Sequence, residues 1–260
     1  MNEEKENIIK KSGVCEDYLV ICDHASNNIP LEYRNLGISK KDIESHRAFD
    51  LGASEVASEL AILLSCNLVM TNFSRLLIDP NRGKDDPTLI PKLSEGKIIK
   101  GNLEISMSEN DIERSKRILR FYLPYHKQIN RFINKSLDNG KTPKILSIHS
   151  FTPSWKGKKR DIDVGILWDK DDRLSKIFLS SLKNFKVGDN KPYSGRLKND
   201  TLFKHATSQG IPHVLIEIRQ DLLKKEKDKL QWAEKIHNVL KENEKTIKSF
   251  SIKKYGSYTL

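Results

Sequence analysis

HVLIEIRQ, residues 213–220, is an apolar run with a carboxylate set in its middle. Its β-branched residues favour a pleated strand, and the charge of Glu217 is costly there unless another group answers it. Strand alternation puts Arg219 on the same face, so a structural Glu217–Arg219 ion pair is one explanation and a catalytic carboxylate another. Two further runs share this design: YLVICDH (18–24) ends on His24, and KILSIHS (144–150) carries His149. A fourth, SRLLIDPNR (74–82), sets Arg75, Asp79, Asn81 and Arg82 around the end of an extended stretch. Open α/β sheets build their sites at the carboxyl ends of strands, so metal ligands, a carboxylate and an anion clamp are expected to share one crevice. That combination points to metal-dependent hydrolysis of an acidic small molecule.

Between these runs the apolar spacing turns helical. LGASEVASELAILLS (51–65) reads as a helix with Asp50 as its N-cap. Residues 108–138 form the strongest helical pattern, kinked or divided at Pro124. Strands are expected at 66–73, 75–78 and 162–168, and a charged amphipathic helix from Leu222 to about Lys245 closes the chain. Strands separated by helices argue for an α/β fold, a mixed and mostly parallel sheet sandwiched by helices. NRGKDDPTLIPKLSEGKIIKGN (81–102) is rich in turn residues, and a segment of that length is expected to be a binding loop or a lid.

The composition excludes several classes. Of 260 residues, 37% are hydrophobic and 31% charged, and no apolar run approaches the roughly 20 residues of a membrane helix. MNEEKENIIKKSG (1–13) lacks the apolar core of a secretory signal. It is expected to be a flexible tail ahead of one catalytic domain, 14–260, in the cytoplasm. Three cysteines without a C-x-x-C pair do not make a disulfide framework. The formal charge of +11 raises nucleic-acid binding, but the lysines are spread along the chain without interleaved aromatics. A basic surface that steers anions is the expected reading.

Taken together, DHASNNIP (23–30), HRAFDLGA (46–53), SRLLIDPNR (74–82), VGILWD (164–169), GDNKPYSG (188–195) and IPHVLIEIRQDL (211–222) resemble the N-formylglutamate amidohydrolase family. The resemblance runs in order over most of residues 18–235. It implies a fold like that of zinc carboxypeptidases and aspartoacylases, an α/β sandwich around a mixed sheet. Those relatives use a strand-end H-x-x-E, an Asn-Arg pair, a later His and a Glu. Here His24, Asn81-Arg82, His149 and Glu217 fall in that order, but Asn27 stands where the Glu of H-x-x-E would be.

What the resemblance implies is a divalent metal, zinc, held by His24, His149 and a third ligand. Asp50 is the candidate, with Asp23 and Asp79 as alternatives. Glu217 is expected to act as the base, and Arg75, Asn81, Arg82 and Arg219 to bind substrate. The resemblance adds His205 as a substrate contact. The implied reaction is hydrolysis of an N-formyl or N-acyl acidic amino acid, with N-formyl-L-glutamate giving formate and L-glutamate. Two alternatives stay open: another N-acyl amino acid or small peptide as substrate, and a binding protein that has lost a metal ligand.

Overall fold

Seven strands pair into one sheet in the computed structural model, which describes residues 7–259. The strands are β1 (Ile8–Lys11), β2 (Cys15–Cys22), β3 (Cys66–Thr71), β4 (Lys144–Phe151), β5 (Val164–Leu167), β6 (Val187–Asp189) and β7 (His213–Arg219). They lie in the order β1-β3-β2-β4-β7-β5-β6. β1–β3 and β7–β5 are antiparallel, and the other four pairings are parallel. This is the mixed, mostly parallel sheet expected from the sequence.

The four main helices are α1 (Ala53–Leu63), α2 (Leu123–Asp138), α3 (Arg173–Ser181) and α4 (Glu226–Glu242). Alternation along the strands sorts the apolar side chains to two faces. Val20, Leu146, Ile148, Val214 and Ile216 pack on one face with residues of α1, α3 and α4. On the other, Leu19, Ile21, Ile145 and Leu215 pack against Tyr125, Ile129 and Ile133 of α2. A third cluster, around Phe73, Leu77, Ile78 and Phe121, lies under the long connection between β3 and α2. Among the described residues no helix is long and apolar enough to cross a membrane.

Several expectations need correction. The tail expected at 1–13 is too long: Ile8–Lys11 pair with Leu68–Thr71 as an edge strand, while residues 1–6 lie outside the described residues. Asp50 is not the N-cap of α1. The helix starts after Gly52, whose φ of +81° turns the chain, and the Asp50 carboxylate points elsewhere. Residues 75–78 are not a strand. Leu77 N–H donates to Ser74 O in a turn, and burial of Leu76, Leu77 and Ile78 explains the apolar run. The long helix is divided near Pro124 as expected: Ile112–Arg117, a π-turn at Ile118–Tyr122, then α2.

Candidate active site

The strand register assembles the centre of the site. Glu217 on β7 lies directly beside His149 on β4, and on its other side beside Gly165 on β5. β2 pairs with β4 through Ile21 and Ser147, so the next inward position, Asp23, falls beside His149. Asp23, His149, Glu217 and Gly165 therefore form one row across four strands, on the face covered by α2. All four are buried. A Cβ at Gly165 would sit 2.3 Å from Lys191 O and 3.4 Å from Glu217 Cβ, so this place in the row has room for glycine alone.

His24 and Asp50 complete the cluster from beyond the strand ends. Asp50 N–H donates to His24 O at 2.9 Å, which ties the two segments together. The rings of His24 and His149 meet edge to face with centroids 4.9 Å apart. Asp50 Oδ2 lies 2.8 Å from His149 Nδ1 and 3.4 Å from His24 Nδ1. The opposite nitrogens are held by other carboxylates: His24 Nε2 lies 2.8 Å from Asp79 Oδ1, and His149 Nε2 lies 3.1 Å from Asp23 Oδ2. Asp23 is fixed in turn by hydroxyls of Tyr125 (2.9 Å) and Thr201 (2.7 Å). Backing carboxylates of this kind orient a metal-binding imidazole and fix which nitrogen faces the metal.

Electrostatics follow from burial and pairing. Burial pushes the Glu217 carboxyl up to about 7; His149 pulls it down, and Asp50 pushes it further up. Its Oε2 has no hydrogen-bond partner among the described residues. Burial alone would raise Asp23, but its hydrogen bond and attraction to His149 bring it down to about 2. Burial opposes protonation of His149, yet its hydrogen bonds to Asp23 and Asp50 raise its pKa well above the ordinary value.

His24, Asp50 and His149 each offer a ligand atom, all within 4.8 Å of one another. Two imidazoles and a carboxylate, with both Nδ1 atoms turned to the same Asp50 oxygen, match the three-ligand, one-open-position chemistry of hydrolytic zinc sites. Arg75 Nη1 approaches His24 Nδ1 at 3.2 Å, so the guanidinium and a cation compete for that nitrogen. Asp23 and Asp79, the alternative third ligands, back the histidines instead.

The other expected site residues divide. Arg75, Asn81 and Arg82 line the same cleft of about 520 Å³ as His24, Asp50, His149 and Glu217. Arg75 is bound to Asp79 at 2.7 Å, Asn81 Oδ1 accepts from Thr201 N–H, and Arg82 donates to Thr88 and to Asn81 O. His205 and Arg219 do not line it. His205 is buried behind, 2.7 Å from His126 Nδ1, and Arg219 turns to Asp163 and Asp221. The Glu217–Arg219 ion pair expected as the structural alternative is therefore not made. Asn27 also stands aside, its Nδ2 donating to Ile43 O. From the 81–102 segment, Leu93, Ser94 and Glu95 reach the cleft wall, where Glu95 pairs with His46 at 2.8 Å. The sequence reading missed Arg47, Tyr193 and Arg196 at the cleft. Tyr193 stands within the GDNKPYSG segment and Arg196 just after it, but neither lies in an apolar run whose period could have flagged it.

A mixed α/β sheet with a histidine–carboxylate cluster at its strand ends is an arrangement suited to a hydrolase. The model of the N-formylglutamate amidohydrolase family matches residues 17–224, and the chain belongs to that family of amide hydrolases. Its structure is similar to the gene product Atu2144 from Agrobacterium tumefaciens, at 32% identity over 95% of this chain and 98% of the other, with a TM-score of 0.88. It also shares its fold with N-formylglutamate amidohydrolase from Ralstonia eutropha JMP134, at 18% identity over 93% and 98% of the two chains and a TM-score of 0.57. No curated protein matches the chain.

Proposed function

We propose that this chain is a zinc-dependent amidohydrolase of N-formyl or N-acyl acidic amino acids, with N-formyl-L-glutamate the favoured substrate. The observation that carries the reading is the convergence of His24 Nδ1 and His149 Nδ1 on Asp50, beside a buried Glu217 oxygen with no partner among the described residues. His24, Asp50 and His149 would hold the ion. When bound, zinc supplies Lewis acidity to the acyl carbonyl and to water at the site. Glu217 Oε2 takes a proton from the attacking water and returns it to the leaving nitrogen, so water and amide become formate and a free amine. Burial supports that role, because a carboxyl near neutrality can both accept and release a proton. Arg75 and Arg82 present cationic groups to the carboxylate end of the substrate, and Asn81 positions the segment that carries Arg82.

The test is formate or acyl release from N-formyl, N-acetyl and dipeptide forms of Glu, Asp and Gln, with and without added zinc. N-formyl-L-glutamate should be turned over fastest, and a chelator should stop the reaction. The His149→Ala variant should fail to retain zinc in metal analysis. Turnover that survives complete zinc removal would overturn the reading.

A further inference from the structure

We propose that Arg196 is the residue that selects an acidic side chain on the substrate, a role resting on the amidohydrolase reading above. Four guanidinium groups line the cleft, and three are already engaged. Arg47 pairs with Asp42 at 3.1 Å and Glu95 at 3.6 Å, and Arg75 with Asp79 at 2.7 Å. Arg82 spends its Nε and Nη1 on Thr88 and Asn81, with Asp86 4.0 Å away. Arg196 alone has no acidic partner among the described residues.

Arg196 is nevertheless held in place. Its guanidinium lies over the Tyr258 ring, 4.3 Å from the centroid, and Tyr258 is anchored by its N–H donating to Asp169 Oδ1 at 2.9 Å. Below it, Asn190 Oδ1 accepts from both Trp168 N–H and Gly195 N–H at 3.0 Å, which pins the loop to the end of β5. A Cβ at Gly195 would fall 2.3 Å from Trp168 N, so the loop lies directly on the strand backbone. A ring over the guanidinium carbon covers one side of the group, and N–H donors remain that can grip a carboxylate. A side chain held by an aromatic ring also loses less freedom on binding. Arg196 is exposed at the cleft, so an anion supplied by the substrate can reach these donors. Arg75 and Arg82 lie toward Asp79 and Asn81, so the substrate's second carboxylate is assigned to Arg196.

The experiment measures calorimetric binding of N-formyl-L-glutamate and N-formyl-L-glutamine in a Glu217→Gln background, which stops turnover. These ligands share the formyl group and the α-carboxylate and differ in a side-chain carboxylate against a neutral carboxamide of similar shape. Without further change the protein should prefer the acid by roughly 10- to 100-fold, the scale of a hydrogen-bonded charge pair. Adding Arg196→Ala should erase that preference while leaving the glutamine form bound as before. Arg196→Lys should restore part of it, and Tyr258→Ala should lower it. The assignment is overturned by a preference that persists in Arg196→Ala, by equal weakening of both ligands, or by no preference at the outset. Formate release from the unsubstituted chain is read separately. Loss of selectivity in Arg196→Ala without any formate release would sink the hydrolase reading and leave the selectivity assignment standing. Release with selectivity unchanged would do the reverse.

Discussion

Glu217 carries two consequences that a single substitution separates. As the base, its replacement in Glu217→Gln should leave zinc retention intact and lower kcat by roughly 100- to 10,000-fold, measured as formate release beside metal analysis. As a buried carboxyl, it should also make stability depend on pH. The folded metal-free protein keeps the Glu217 proton up to about 7, against 4.5 for the free group, so folded chains bind more protons between those values. Its contribution to stability is therefore full below pH 4.5 and lost as pH rises to about 7, a change of roughly 3 kcal/mol. Glu217→Gln removes that loss, so denaturation of the metal-free variant at pH 8 should show it more stable than the parent, and equally stable near pH 4. An unchanged difference across that range would mean that Glu217 is ionised in the folded chain throughout. Much of this residue-level chemistry was legible beforehand, because a charge inside an apolar strand and histidines at strand ends are visible in one dimension. The roles of His205 and Arg219 were not: His126 and Asn130, which hold the one, and Asp163, which holds the other, lie far off in sequence, and strand alternation did not show that Arg219 would also turn to Asp221 two residues on.

At the scale of elements, β5 matters more than its four residues suggest, because Gly165 lets the Lys191 loop and Glu217 approach from its two sides. Gly165→Ala should push Lys191 O and the loop carrying Tyr193 and Arg196 outward. The expected result is a destabilisation of about 1–3 kcal/mol from overpacking, with a rise in KM larger than the fall in kcat. Denaturation and steady-state kinetics on the same preparation check both. α2 is joined to the short helix Thr201–His205 by a buried histidine pair, with ring centroids 5.0 Å apart. His126 Nε2 lies 3.1 Å from Pro80 O, His126 Nδ1 lies 2.7 Å from His205 Nε2, and His205 Nδ1–H donates to Asn130 Oδ1 at 2.9 Å. Burial, with the nearby Lys204, depresses His205 to about 4, and His126 falls well below its ordinary value. Folded chains thus bind fewer protons than unfolded ones, so the pair's stability is present above pH 6.5 and lost as pH falls through about 4. For His205 this amounts to roughly 3 kcal/mol. Urea midpoints between pH 7 and 4 should fall less in His205→Gln than in the parent, and parallel curves would exclude the neutral pair. The elements themselves were mostly legible from period, whereas β1 was not: Ile8–Lys11 is too short and too charged to stand out, and only its pairing with β3 makes it a strand.

At the scale of the whole molecule, what brings the site together is strand order. β7, the last strand in sequence, inserts between β4 and β5, and that insertion sets Glu217 beside His149. Composition and hydrophobic period announce an α/β sandwich but contain nothing that ranks this order above its alternatives. Net charge, by contrast, is a property of the whole chain that the sequence states outright, and its consequence is kinetic. A formal charge of +11 surrounds a cleft in which Arg196 is unmatched by an acid among the described residues, while the proposed substrate carries two carboxylates. The field of such a protein raises the encounter rate of a dianion, and salt screens it over a Debye length of about 10 Å at 0.1 M. Raising ionic strength from about 20 to 300 mM should therefore lower kcat/KM for N-formyl-L-glutamate by roughly ten-fold and leave kcat nearly constant. N-formyl-L-glutamine, with one carboxylate, should respond less steeply. Stopping the reaction with salt at the level of kcat, or an equal slope for both substrates, would mean that the lysine-rich surface has no part in capture. Steering depends on the total field, so charge reversal of surface lysines far from the cleft, such as Lys227 and Lys241 on α4, should flatten the salt slope for the dianion without altering kcat.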